Sequence, residues 1–259
     1  MKQFGIQLYS VRDHMQTEAD FAESIKKLAD LGYKQVHTAG CPFDPARFVE
    51  IVKENGMSIC GTHYGYEEMC NDVEGTIKLH RLWETNNIGS GGMPEFARHS
   101  LEGLKIFIDK FNEMAKIYAK EGFKLTYHNH AFEFHRIDGT KTLMDYLYEE
   151  LDPENITFVL DTCWVQVGGA DIRYWIEKLK GRIDILHLKD CMRVIFPDGN
   201  QGLGITEVGN GNIWMEGVIE TARKCGIEYY IVEQDENWLG DDPFASAKAS
   251  ADYLSKFIR

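Results

Sequence analysis

The sequence predicts a (β/α)8 TIM barrel, folded as a single domain over residues 1–259. Three observations carry that expectation. Short apolar, β-rich runs alternate with longer amphipathic stretches from end to end, the pattern of parallel strands joined by crossover helices. The alternation repeats eight times, and eight units in roughly 250 residues is the size of such a barrel. No Pro/Gly/Ser-rich linker divides the chain.

In order, the first run is Phe4 to Tyr9. A helical pattern follows with Phe21, Ile25, Leu28, Ala29 and Leu31 at three- and four-residue steps, stopped by Gly32. Lys34 to Thr38 reads as the second strand, and Pro45 to Glu54 as a helix with proline in its first turn. Ser58 to His63 is the third strand, Val73 to Trp83 a helix, and Asn87 to Ser90 a polar fourth strand. Leu101 to Lys120 is a long helix, Lys124 to His130 the fifth strand, and Thr140 to Leu151 a helix stopped before Pro153. Ile156 to Asp161 is short and strongly apolar, the sixth strand. Ile172 to Leu179 is a helix and Ile183 to Lys189 the seventh strand. The helix Trp214 to Cys225, the eighth strand Tyr229 to Glu233 and a last helix from Pro243 to about Ile258 complete the series. The glycine-rich stretch from Cys191 to Asn212 exceeds a usual βα connection and reads as a loop or lid over the barrel mouth. A doubly wound open sheet is the alternative fold. It would place nucleotide chemistry on a glycine-rich first turn, but Tyr9-Ser10-Val11-Arg12 holds no glycine, and neither G-x-x-x-x-G-K-[ST] nor a complete G-x-G-x-x-G occurs.

Composition narrows the function classes. With 28 Lys+Arg against 41 Asp+Glu the net charge is −13, opposite to the basic face of a general nucleic-acid binder. No window approaches roughly 18 uninterrupted apolar residues, so no membrane span or membrane partner is expected. The first residues show no charged leader followed by an apolar stretch, which argues against a signal peptide. The six cysteines are scattered without a C-x-x-C and read as reduced thiols of a cytoplasmic protein.

In a barrel of this kind chemistry sits at the C-terminal ends of the strands. The sixth strand ends in Asp161, the seventh in His187, the eighth in Glu233, and the fifth supplies His128-Asn129-His130 with Glu133 beyond. Each residue has a bland reading alone: an acid after a strand often caps the next helix, and a lone histidine is more often a satisfied core or surface residue. Acid, imidazole and acid at successive strand ends instead suit a divalent metal such as Mn²⁺, Co²⁺, Mg²⁺ or Fe²⁺, with Zn²⁺ also compatible.

These residues resemble a known group. Phe158-Val159-Leu160-Asp161-Thr162, His187-Leu188-Lys189-Asp190 and Ile231-Val232-Glu233 look like the strand-end motifs of the xylose-isomerase-like TIM-barrel superfamily. The opening Gly5 to Arg12 and the block His128 to Phe134 match a subgroup of sugar isomerases and epimerases. The resemblance runs essentially end to end and does not choose a substrate. It implies one divalent metal, Mn²⁺ by preference, held by an acid from the fifth unit together with Asp161, His187 and Glu233. Glu133 is favoured as that acid because three carboxylates and one histidine match the family's charge count, and His128 or His130 would then face the substrate. Trp164 stands where ketose epimerases of the family often carry histidine, which disfavours a plain ketose 3-epimerase.

The implied reaction is proton abstraction next to a metal-polarised carbonyl, giving an enediolate. Reprotonation yields epimerisation or isomerisation; expulsion of a β-oxygen yields dehydration or glycoside elimination, the lyase alternative on inososes or 3-keto-glycosides. Glu133 and Glu233 are the acid/base candidates. His128 is a further catalytic candidate, and Lys189 would hold a substrate hydroxyl or steady the enediolate. His63, His130, His37, Tyr9 and Trp164 are substrate-facing candidates, and Tyr64 is a further aromatic wall. His80, His99 and His135 are expected to be solvated, and neither Cys163 nor Cys191 has a base partner that would make it a nucleophile. The partner expected is a small sugar or cyclitol, and pairing as a homodimer is compatible with such barrels. Two other classes compete. A related DNA-cutting hydrolase with a three-zinc cluster needs about five histidines and a basic track, against about four placeable here. A non-catalytic sugar-binding barrel is opposed by the intact Asp161, His187 and Glu233 set.

Overall fold

Eight parallel strands form the core sheet: β1 (Phe4–Gln7), β2 (Gln35–Thr38), β3 (Ser58–Thr62), β4 (Asn87–Ser90), β5 (Lys124–His128), β6 (Ile156–Asp161), β7 (Ile183–Leu188) and β10 (Tyr229–Val232). The computed structural model describes residues 4–195 and 198–258. Strand order is β3-β2-β1-β10-β7-β6-β5-β4, and the seam between β3 and β4 is drawn together by a parallel bridge from Tyr64 to Ser90. Across that seam the Tyr64 N–H donates to Gly89 O at 2.6 Å and Asn87 Nδ2 to Cys60 O at 2.9 Å. The fold is thus a nearly closed TIM barrel in one domain. Among the described residues no helix is long and apolar enough to cross a membrane.

The helices are α1 (Glu18–Asp30), α2 (Pro45–Glu54), α3 (Tyr66–Asn71), α4 (Val73–Leu82), α5 (Leu101–Lys120), α6 (Leu143–Glu150), α7 (Thr162–Val167), α8 (Ile172–Lys178), α9 (Met215–Cys225) and α10 (Pro243–Leu254). Their ends follow local chemistry. The sixth starts at Leu143 rather than Thr140, because Thr142 Oγ1 accepts from the Asp145 N–H and the Asp145 carboxylate accepts from the Thr142 N–H. That reciprocal pair satisfies two N–H groups that a helix start would leave open. At the end of α9, Gly226 takes φ +84°, a left-handed conformation that glycine enters without a Cβ penalty.

Two apolar cores divide the labour. The larger lies between barrel and helices, with Phe21, Phe48, Phe107, Phe111 and Phe158 fully buried. The smaller plugs the barrel itself with Cys60, Val159, Ile185 and Ile231. A Cβ on Gly61 would stand 2.8 Å from Ile185 Cδ1 and 3.1 Å from His37 Cδ2, so the third strand uses glycine where side chains cross the barrel axis. This plug leaves the polar strand ends above it on a rigid floor.

Two expectations need correction. The stretch read as a loop from Cys191 to Asn212 holds an antiparallel hairpin of β8 (Asp190–Ile195) and β9 (Gln201–Thr206), while positions 196 and 197 lie outside the described residues. Asp190 pins the base of that hairpin by accepting the N–H groups of Cys191, Gly209 and Gly211. The first strand also stops at Gln7, and Leu8–His14 turns into a 3-10 helix.

Candidate active site

Strand register decides which polar ends meet. Asp161 pairs with His187 across β6 and β7, and Gln7 with His37 across β1 and β2. In parallel neighbours, paired residues present their side chains to the same face of the sheet. His187 Nδ1 lies 2.9 Å from Glu233 Oε2 and 4.0 Å from Asp161 Oδ2. His128 Nε2 lies 3.5 Å from Asp161 Oδ2 and 4.0 Å from Glu233 Oε2. His128, Asp161, His187 and Glu233 each offer a ligand atom within 4.8 Å of the others, and all four residues are buried.

Asp161 shows how the bland and the functional readings coexist. Its Oδ1 accepts from Trp164 N–H at 3.0 Å and so caps α7. Its Oδ2 is buried with no hydrogen-bond partner, and so are both ring nitrogens of His128. Buried acceptors left unpaired cost free energy unless a ligand or ion completes them. Orphaned oxygen and nitrogen donors converging on one point therefore fit a divalent cation, and two carboxylates with two imidazoles are a donor set that such ions accept.

Glu133, the acid expected to complete the ligand set, lies outside this group. Its carboxylate is fully buried and accepts from Tyr127 Oη at 2.7 Å and from the His130 N–H at 2.7 Å. The 3-10 turn Phe132–Phe134 folds it back under the loop after β5, so that His128 occupies the fourth corner. Burial raises Glu133 to a pKa of about 7, against the lowering effect of its hydrogen bonds.

Around the four donors stands a ring of further side chains. His37 and His63 pack edge-on at 4.6 Å between centroids, His63 lies 4.5 Å from His128, and His128 lies 4.8 Å from His130. Five imidazoles thus gather where about four were expected. Burial holds His128 at about 4 and His130 at about 3, and pushes His37 and His63 well below the ordinary imidazole range. All four are neutral at pH 7. Lys189, also buried, ion-pairs with Asp235 Oδ2, stands 3.6 Å from Glu233 Oε2 and lies 4.7 Å over the Trp164 ring. Burial lowers its pKa, but Glu233, Asp161 and Asp235 outweigh that and raise it above the ordinary lysine value. Glu233 is driven the other way: burial raises it, and Lys189 and His187 pull it well below the ordinary carboxylate range. Burial lifts Asp161 to about 7.

The remaining candidates fall at the edges. Trp164 is half-buried, with His130 at 6.0 Å and Lys189 on its face. Tyr9 is 44% exposed on the 3-10 turn, with the Arg12 guanidinium 4.3 Å over its ring. Tyr64 contacts His80 edge-on at 5.4 Å. His99 and His135 are exposed as expected. His80 is not: it is fully buried, with Nε2 2.9 Å from Thr62 Oγ1 and Nδ1 2.8 Å from Thr76 O, because it follows Thr76 by one turn on the inward face of α4. Cys163 and Cys191 are free thiols. Three residues went unassigned from sequence: Gln7, Asn129, whose Oδ1 accepts from Asp161 N–H at 2.9 Å, and Asp235. Gln7 is a lone polar residue closing an apolar strand, which is the signal that marks it.

The family model described as xylose isomerase-like TIM barrel matches residues 19–257. An inosose dehydratase of Mesomycoplasma hyopneumoniae is 28% identical over 180 residues, 64% of this chain and 57% of that protein. An inosose dehydratase of Geobacillus thermodenitrificans is 26% identical over 164 residues, 59% of this chain and 54% of that protein. The matches therefore span little more than half the length of these curated relatives. A sugar phosphate isomerase/epimerase from Parabacteroides distasonis superposes with a TM-score of 0.82 at 22% identity, covering 99% of this chain and 94% of that one, which shows the fold.

Proposed function

This chain belongs to the xylose isomerase-like TIM barrel family, and we propose that it is a metal-dependent enzyme acting on the carbon next to the carbonyl of a polyhydroxylated ketone, a keto-sugar or a cyclitol. The observation that carries the reading is the convergence of buried donors from His128, Asp161, His187 and Glu233, with the Lys189 ammonium beside them. These four residues would hold the cation. Two imidazoles in place of one move the preference from Mg²⁺ toward Mn²⁺, Co²⁺ and Zn²⁺. When bound, the ion supplies Lewis-acid polarisation of a substrate carbonyl.

The chain's own groups divide the remaining work. Lys189 stays protonated among three carboxylates, so it is a hydrogen-bond donor to substrate oxygen that gains negative charge, not a base. Neutral His130 stands beside the donor group with a buried Nδ1 free of protein partners and is the group able to accept or return a proton, whereas His63, whose Nδ1 faces the Gln7 amide, can only donate from Nε2. Trp164 forms an apolar wall under the sugar face. Glu133 holds the loop that carries His130 and does not act directly.

Among the outcomes, loss of a β-hydroxyl is favoured over epimerisation. Epimerisation asks for a base on each face of the substrate, and Glu133, the expected partner of Glu233, is turned under the loop. The inosose dehydratase relatives support the same direction. The test is to incubate the Mn²⁺-loaded protein with keto-sugars, inososes and 3-keto-glycosides in D2O and follow proton NMR. The expected result is exchange of the C–H next to the carbonyl in one class, with an unsaturated ketone formed if water is lost. Absence of exchange in every class by metal-loaded protein would refute the reading.

A further inference from the structure

We infer that Gln7 and His37 fix the tautomer of His187, leaving bare the nitrogen that faces the Asp161 and Glu233 carboxylates. The inference rests on the reading of His187 as a metal ligand and explains how that ligand is prepared. Gln7 and His37 are both fully buried at the ends of neighbouring strands. Gln7 Oε1 accepts from the Tyr9 N–H at 3.3 Å, which sets the orientation of the amide and turns its NH2 group onto two histidines. Nε2 lies 2.9 Å from His37 Nδ1 and 3.4 Å from His63 Nδ1, so the two amide hydrogens meet two imidazole lone pairs. A ring nitrogen that accepts carries no proton in a neutral imidazole, so His37 and His63 hold theirs on Nε2.

The consequence passes to His187. Its Nε2 is 3.0 Å from the same His37 Nδ1. Two bare nitrogens at that distance repel, and His37 Nδ1 is already an acceptor, so His187 Nε2 is the donor. With the proton on Nε2, the lone pair belongs to Nδ1, the atom 2.9 Å from Glu233 Oε2 and 4.0 Å from Asp161 Oδ2; a lone pair and a carboxylate repel at that distance unless a cation lies between them, so this tautomer is that of the metal-loaded protein. Metal-binding histidines commonly donate their second nitrogen to a carboxylate or carbonyl that fixes the tautomer. Here a neutral imidazole takes that place, itself fixed by an amide, and adds no negative charge to a site already balanced by Lys189. The same hydrogen bonds explain why His37, His63 and His187, although close enough to surround an ion, read as a positioning chain. Two Nδ1 lone pairs are occupied by Gln7, and the group holds no carboxylate.

The test compares wild type, Gln7→Glu, Gln7→Met and His37→Phe, using Zn²⁺ because it is diamagnetic. Zn²⁺ affinity is measured against a competing chelator, and ¹⁵N NMR of labelled histidines in the Zn²⁺-loaded protein reads the tautomer of His187. Gln7→Glu replaces the donor by an acceptor, puts the proton of His37 on Nδ1 and makes His187 Nε2 the acceptor. The expected result is Nε2–H for His187 in wild type. Gln7→Glu and His37→Phe should weaken affinity by about 10- to 100-fold, and Gln7→Met by less than Gln7→Glu. Equal loss in Gln7→Met and Gln7→Glu would indicate packing alone and overturn the inference, as would Nδ1–H in wild type. Wild-type protein that binds no Zn²⁺ would instead refute the metal reading itself. If Gln7→Glu does not fold, His37→Phe decides: affinity equal to wild type would overturn the inference.

Discussion

Glu133 offers a quantitative test of how the loop after β5 is held. Its carboxylate is buried against Tyr127 and the His130 N–H, and burial raises its pKa from the ordinary 4.5 to about 7. A carboxyl raised on folding favours the folded state when protonated. Its contribution is full below the unfolded pKa and is lost as pH rises through the folded one. Between pH 5 and pH 8 those two values correspond to a loss on the order of 2 kcal/mol. Glu133→Gln removes the ionisation while keeping both contacts: the amide oxygen accepts from His130 N–H, and the amide nitrogen donates to Tyr127 Oη, which can accept. Urea unfolding of metal-free wild type and Glu133→Gln at pH 5, 6, 7 and 8 measures the difference. The stability of wild type relative to the variant should fall by about that amount toward pH 8. A difference that stays flat across the range, or that runs the other way, would refute the argument that burial dominates at this carboxyl.

Three further outcomes follow from the same geometry. Glu133→Gln should retain Mn²⁺ within roughly threefold of wild-type affinity, since second-contact changes away from the ligands cost less than the tenfold typical of outer-shell partners, whereas Asp161→Ala and Glu233→Ala should each lose the ion by mass-spectrometric metal analysis; retention in either alanine variant would remove that residue from the ligand set. Lys189→Met leaves the carboxylates of Asp235 and Glu233 facing each other without their cation, and should lower stability in chemical unfolding by about 3–5 kcal/mol, as when one partner of a buried pair is removed. His80→Ala removes a fully buried ring bonded to Thr62 and Thr76, and should cost about 2–4 kcal/mol while leaving metal affinity unchanged.

The strand and helix series, and with it the barrel, is legible in the order of residues. Period and punctuation are local, and Ile156–Asp161 or Pro45–Glu54 can be read wherever they lie in space. It also showed that Asp161, His187 and Glu233 sit at strand ends, because parallel strands of one barrel share a direction. The composition of the site depends instead on contacts between distant segments. His128 ends β5 and Glu133 follows it by five residues, and only the partner Tyr127 Oη and the His130 N–H turn the carboxylate inward and leave the imidazole beside Asp161, His187 and Glu233. The same holds for Gln7, His37 and His63, spread over 56 residues of chain and joined through one amide. Glycine-rich Cys191 to Asn212 became a hairpin because Asp190 gathers backbone N–H groups from across that stretch. Hydrophobic periodicity records which face a residue presents to the core, whereas a polar side chain's role depends on which donor or acceptor meets it, and those partners come from distant strands whose register is set only when the barrel closes.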